Sequence, residues 1–278
     1  MRTIFSLVTV ITIALTAIPA DAATKVFILA GQSNMDGRGK ASDLVGPLAK
    51  WAKPQADVRI AYSNSTIRGP YTSDGFQPLQ PGFSVPPGSR EAHGKDFKLP
   101  SATFGPEVSV GRALADGLPN DKIVLIKFSE GGTSLHKDWN PNQSNTLYDQ
   151  LVAFTKKSLA DLHEDYQLAG FIWHQGESDA SLPEGEYQKL LTALIGRVRK
   201  DLNAPDLPFV IAEVFDNHHR DRVRAGQRGT TQAVAHTLFV PADHLVTSDN
   251  GTHFDAASQI ELGQRIAHAL LQNELDKP

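Results

Sequence analysis

The sequence predicts a three-layer α/β/α sandwich built on a mostly parallel sheet of about five strands. Two observations predict it. Five short apolar runs of strand length recur along the chain, and segments with apolar residues at helical spacing separate them. Strands alternating with helices must be joined by crossovers, which place helices on both faces of a parallel sheet.

The runs are Lys25–Ala30, Val58–Tyr62, Ile123–Phe128, Leu168–His174 and Phe209–Val214. Each is nearly continuous in apolar residues, as strands buried on both faces require. The first helical pattern is Glu107–Ala115, and the second, Thr146–Leu162, carries Leu147, Leu151, Phe154 and Leu159 on one side. A third starts at Pro183 and runs through Tyr187, Leu190, Leu191, Leu194 and Val198. Val223–His236 and Ala256–Leu271 complete the set. Residues 63–101 break the rhythm: rich in Gly, Pro and Ser, they read as a long loop decorating the domain and walling a cleft.

Ahead of the first strand, Arg2, the apolar run Ile4–Ile18 and Ala20-Asp21-Ala22 have the layout of a secretory signal peptide cleaved after Ala22. The expected mature chain, residues 23–278, is one domain, periplasmic or secreted, and no later run suits a membrane span. The net charge of −4 provides no basic surface for nucleic acid, and the absence of cysteine excludes disulfides, thiolate nucleophiles and cysteine metal sites. No HExxH or similarly spaced cluster points to a metal, and the His218-His219 pair reads as exposed or cleft-lining.

Polar clusters sit where the strands end. The first strand runs into Gly31-Gln32-Ser33-Asn34-Met35, placing Ser33 in a strand-to-helix turn where backbone N–H groups converge and a developing anion is favoured. A helix N-cap is the alternative role for Ser33. The third run ends in Ser129-Glu130-Gly131-Gly132-Thr133-Ser134, whose glycines permit close backbone approach to a ligand. The fourth runs into Gln175-Gly176-Glu177-Ser178-Asp179. Ser248-Asp249-Asn250-Gly251-Thr252-His253 precedes the last helix, and Asp255 is placed to cap it. Histidine titrates near neutral pH and suits a general base.

These strings, in this order, resemble the SGNH-hydrolase superfamily, in the carbohydrate O-acetylesterase branch that includes sialate O-acetylesterases and acetylxylan esterases. The resemblance runs from about Lys25 to about Ala269, with weaker support from Phe104-Gly105-Pro106-Glu107, Arg224 and Gln227. It implies a flavodoxin-like sheet and a cofactor-free serine esterase acting on an acetylated carbohydrate. Ser33 is then the nucleophile and His253 its base. The N–H groups of Ser33 and Gly132 and the amide of Gln175 would hold the oxyanion. Gln32, Asn34 and Trp139 are the expected substrate contacts, and Glu177 is expected to orient the site or contact substrate. The chain departs from the family's Asp-x-x-His: Asn250 stands three residues before His253 and Asp249 four. Asp249 across a bulge at Gly251, Asn250, or a backbone carbonyl are the candidates for orienting the ring. A lipase-like or thioesterase member, or a non-catalytic carbohydrate-binding relative, is the alternative reading.

Overall fold

The computed structural model describes residues 22–64, 71–84, 102–249 and 251–276. The signal-peptide pattern and much of the 63–101 stretch lie outside these residues. The expected runs form β1 (Thr24–Gly31), β3 (Gln55–Asn64), β6 (Lys122–Ser129), β7 (Gln167–His174) and β8 (Phe209–Ala212). Short β2 (Gly39–Lys40) and β5 (Thr103–Phe104) pair separately. With β4 (Gln77–Leu79) and β9 (Thr237–Val240), the main sheet has seven strands rather than five, in the order β4-β3-β6-β1-β7-β8-β9.

Both added strands lie at edges. β9 (Thr237–Val240) pairs parallel to β8 and is only partly buried, and its apolar run, residues 238–240, is three residues long. β4 (Gln77–Leu79) pairs antiparallel to β3 and belongs to the stretch read as loop. Its proline suits an edge, where a missing N–H leaves no inner ladder broken.

The helices are α1 (Ser33–Asp36), α2 (Glu107–Gly117), α3 (Leu147–Asp161), α4 (Glu186–Asp201), α5 (Asp221–Ala233) and α6 (Ala256–Leu275). β1 shows why both faces are covered. Phe27 and Leu29 join the core beneath α2 and α6, while Ile28 and Ala30 face the core beneath α3 and α4. Thr146 and Asp149 form a capping box that starts α3. Asp255 accepts the Ser258 N–H at 2.8 Å and caps α6, as expected.

Register carries the fold to the site. β1 lies between β6 and β7, and Gly31 is level with Ser129 on one side and His174 on the other. Three polar strings separated in sequence therefore emerge side by side at the carboxyl end of the sheet, where open α/β sheets place their ligands. Gly31 has φ +152°, and a Cβ there would lie 2.0 Å from the His174 carbonyl oxygen. Only glycine lets β1 and the Gln32 N–H, which donates to that carbonyl at 3.1 Å, approach β7 so closely.

Candidate active site

Ser33 opens α1, a single turn closed by bonds from the Asp36 N–H to Gln32 O and from the Gly37 N–H to Ser33 O. So short a helix has little dipole, and the turn's value lies in the direction of its N–H groups. Its floor is polar and buried. The Asp36 carboxylate accepts from Tyr62 Oη at 2.6 Å, Ser129 Oγ at 3.0 Å and Arg38 Nη1 at 2.6 Å. Lys127 Nζ donates to Asp36 O, Phe83 O and Glu107 Oε2 at 2.9, 2.7 and 2.8 Å. Burial pushes the Glu107 carboxyl up, against the pull of Lys127 and the Gly105 N–H. Sequence reasoning missed this floor. Its signal was Lys127, a lone charge inside an otherwise apolar strand.

The loop before α6 delivers the histidine. His253 Nε2 lies 3.1 Å from Ser33 Oγ. On the far side of the ring, Nδ1 lies 2.6 Å from Asp249 Oδ2. Asp249 Oδ1 accepts the N–H groups of Thr252 at 2.9 Å and His253 at 2.8 Å. Burial opposes ionisation of Asp249, yet these N–H groups and the imidazole outweigh it and hold the carboxyl below its usual range. A carboxylate can only accept, so Nδ1 carries the proton and Nε2 presents a lone pair to Ser33. Gly251 sits at φ +83°, in the left-handed region, and forms the bulge that lets an aspartate four residues away reach the ring. Asn250 lies outside the described residues. Ser33 is 3% exposed, while the side chains of His253 and Asp249 are 22% and 40% exposed, so the serine forms the floor and the pair the wall.

Beside Ser33 stands the glycine pair. A Cβ on Gly131 would lie 3.5 Å from Ser33 Cβ and 2.7 Å from Arg38 Nη2, so Gly131 is the residue packed on the nucleophile. Gly132 follows at φ +70° and is exposed. Among the described residues, neither glycine's N–H donates to a protein acceptor, which leaves both for a ligand.

Five expected roles are corrected. Gln175 does not offer its amide to an oxyanion: Nε2 has two hydrogens, and Gln32 Oε1, Thr133 O and Asp179 Oδ2 lie 3.1, 3.0 and 2.6 Å away to take them. Gln32 does not contact substrate, because it is buried and its Oε1 serves Gln175 and the N–H groups of Gly176 and Ser178. Asn34 is buried with its amide bonded to Glu177, Thr252 and Phe254. The Glu177 side chain lies beneath Asn34, beside the buried His174, rather than in a cleft. Trp139 is fully buried, donates Nε1–H to Thr133 Oγ1 and packs edge-on against Trp173. A sugar platform needs an exposed ring face, and this one is core.

Other residues hold the site together. Gln227 Nε2 donates to Gln175 O and Ala212 O, and Arg224 reaches Val214 O and Glu213. Arg220, which no sequence pattern singled out, donates to Gly251 O at 3.0 Å and Thr252 Oγ1 at 3.2 Å. His136, Lys137, His218 and His219 are exposed. Among the described residues, no group of three or more His, Cys, Asp or Glu side chains is arranged to hold a metal.

A family model described as carbohydrate esterase, sialic acid-specific acetylesterase, matches residues 23–272. The chain belongs to this family. It is accordingly a carboxylic ester hydrolase of the carbohydrate acetylesterase kind, as the strand-end strings implied. A probable carbohydrate esterase of Arabidopsis thaliana is 28% identical over 260 residues, covering 90% of this chain and 91% of the relative. The crystal structure of an Arabidopsis thaliana protein has a TM-score of 0.70 at 24% identity, covering 90% and 99% of the two chains. NanS has a TM-score of 0.65 at 17% identity, covering 94% and 100%. A carbohydrate acetylesterase from Xanthomonas citri has 0.59 at 19% identity, covering 88% of this chain and 55% of its own. These structures share the fold.

Proposed function

We propose that this member of the family is a serine esterase that removes O-acetyl groups from a carbohydrate through an acetyl-enzyme on Ser33. The observation that carries the reading is the unbroken chain from Ser33 Oγ to His253 Nε2, 3.1 Å, and from His253 Nδ1 to Asp249, 2.6 Å. His253 takes the hydroxyl proton as Ser33 Oγ bonds to the acetyl carbonyl carbon. The carbonyl oxygen becomes an oxyanion, held by the N–H groups of Ser33 and the Gly131–Gly132 pair. As the tetrahedral intermediate collapses, the bond to the sugar oxygen breaks and His253 returns its proton to that oxygen. Water, deprotonated by the same imidazole, attacks the acetyl-enzyme; the acyl bond to Ser33 Oγ then breaks, His253 returns the proton to Oγ, and acetate leaves. Asp249 stabilises the imidazolium in both halves. The scheme uses no metal and no cofactor.

The family description favours an O-acetylated sialic acid as substrate, with other acetylated polysaccharides as the alternatives. Acetate release across a panel of acetylated glycans ranks them. Replacing Ser33 by Ala tests the chemistry: hydrolysis of an aryl acetate is expected to fall to background, and unchanged turnover overturns the reading. The signal-peptide pattern of residues 1–22 supports export to the periplasm or medium. A mature N-terminus at Ala23 in the exported protein is the expected result, and full-length protein retained in the cytoplasm contradicts it.

A further inference from the structure

The Asp249–His253 pair is internal to one loop, four residues apart. It can move as a unit without losing its own hydrogen bonds. Nothing within the loop therefore fixes the pair at 3.1 Å from Ser33, and that contact joins residues 220 positions apart. Some group must tie the loop to the nucleophile.

Asn34 is bonded covalently to Ser33, and its amide grips the backbone on both sides of His253. Nδ2 donates to Thr252 O at 2.8 Å, and Oδ1 accepts the Phe254 N–H at 3.0 Å. The second hydrogen of Nδ2 goes to Glu177 Oε1 at 2.7 Å. Two acceptors on one end and a donor on the other fix which end of the amide is nitrogen. Gln259 Nε2 also holds the Asn34 carbonyl oxygen at 3.2 Å. The side chain is fully buried.

Glu177 holds Asn34 from behind, in a setting that does little for Glu177 itself. Its Oε2 is buried with no hydrogen-bond partner, and so is His174 Nε2. His174 Nδ1 donates to Ala212 O, so Nε2 presents a lone pair towards Glu177 Oε1, 3.7 Å away. Burial pushes the Arg220 guanidinium down, and the charges of Glu177 and Asp249 pull it back up. Buried acceptors left without donors cost stability, and such costs concentrate at sites held for function.

We propose that Asn34 and Glu177 are positioning residues: Asn34 sets the distance between Ser33 and His253 by holding both neighbours of the histidine, and Glu177 fixes the Asn34 amide as a hydrogen-bond acceptor. The inference rests on the serine-esterase reading above. A displacement of about 1 Å between reacting groups lowers rates by about a hundredfold, without touching the substrate.

The test measures steady-state hydrolysis of 4-nitrophenyl acetate, together with the downfield proton resonance of His253 Nδ1–H. In Asn34→Ala, kcat is expected to fall about a hundredfold with KM within about threefold, while the Nδ1–H resonance persists because the Asp249 pair is intact. Glu177→Ala is expected to fall more than Glu177→Gln, whose carboxamide keeps an acceptor for Asn34. If Asn34→Ala does not fold, Asn34→Asp replaces it. That change sets an oxygen against Thr252 O and Glu177 and is expected to slow kcat, with partial recovery when combined with Glu177→Gln. A kcat within threefold of wild type for Asn34→Ala, Glu177→Gln no better than Glu177→Ala, or no recovery in the double variant overturns the proposal. Ser33→Ala separates the two failures. Full activity there ends the esterase reading, whereas an inactive Ser33→Ala beside a fully active Asn34→Ala ends this inference alone.

Discussion

Replacing Asp249 by Asn probes the departure from the family's Asp-x-x-His spacing. The carboxylate now makes three bonds: Oδ1 to the N–H groups of residues 252 and 253, and Oδ2 to the imidazole Nδ1 at 2.6 Å. In the variant, the amide oxygen can keep the two backbone bonds, so the loop survives. The amide NH2 then faces Nδ1 and donates to it. That forces the other tautomer, with the ring proton on Nε2 pointing at Ser33, and Nε2 can no longer take the hydroxyl proton. In a buried Ser-His-Asp triad the same change lowers kcat about 10⁴-fold. Here the Asp249 side chain is 40% exposed, and water replaces part of the lost charge interaction. The expected loss is about a thousandfold in kcat, or about 4 kcal/mol of transition-state stabilisation. Thermal unfolding is expected to change little, because the substitution is isosteric and near the surface. The assay is initial-rate hydrolysis of an aryl acetate at pH 8, with calorimetry as the folding control. A loss smaller than tenfold, with a larger loss in Asn250→Ala, would refute Asp249 as the group that orients His253.

Gly31→Ala drives a methyl group to 2.0 Å from the His174 carbonyl at a backbone φ of +152°; overpacking and strain together predict a loss of about 3 kcal/mol or insoluble protein, and an unchanged urea midpoint would contradict this. Lys127→Met leaves the buried Asp36 and Phe83 carbonyls without their donor and the Glu107 carboxylate with the Gly105 N–H but no countercharge, and destabilisation of about 3–5 kcal/mol is expected by chemical denaturation; a loss below 1 kcal/mol would remove the floor from the account. Burial holds His174 below its ordinary pKa of 6.5, although Glu177 pulls the other way. The unfolded chain therefore binds a proton that the folded chain resists, so this contribution to stability is complete above pH 6.5 and is lost as pH falls below it. The urea midpoint is expected to drop between pH 7.5 and pH 5.5, and to drop less in His174→Gln; equal slopes would contradict the assignment.

The sheet was legible because its inner strands are buried on both faces. Their apolar runs mark them without any need for alternation, as in β1, β6 and β7. The edges were not: β9 is half exposed and β4 has three residues, one of them proline, too few for a pattern. Ser33 and the glycine pair were legible as chemically suited residue types directly after strands, and His253 as a candidate base just before the last helix. What the sequence could not convey is which polar side chains face the substrate and which face one another. Gln32, Asn34, Gln175 and Glu177 look like binding residues by type, yet register packs their strings together and their hydrogen bonds go to one another and to neighbours such as Thr252, Phe254 and Asp179. Trp139 was misplaced for a related reason, since the sequence does not say which face of an aromatic ring is covered. Lys127 and Arg220 reach their partners over long sequence separations, and no local spacing encodes such contacts.

The central claim is that Ser33, activated by His253, becomes the covalent carrier of the acyl group. The direct measurement is intact-mass and peptide mass spectrometry after reaction with an organophosphonate ester that mimics the tetrahedral intermediate. The account predicts a single adduct on the peptide containing Ser33, absent from Ser33→Ala and greatly slowed in His253→Ala. An adduct on another residue, or none from an enzyme that still releases acetate, would contradict it.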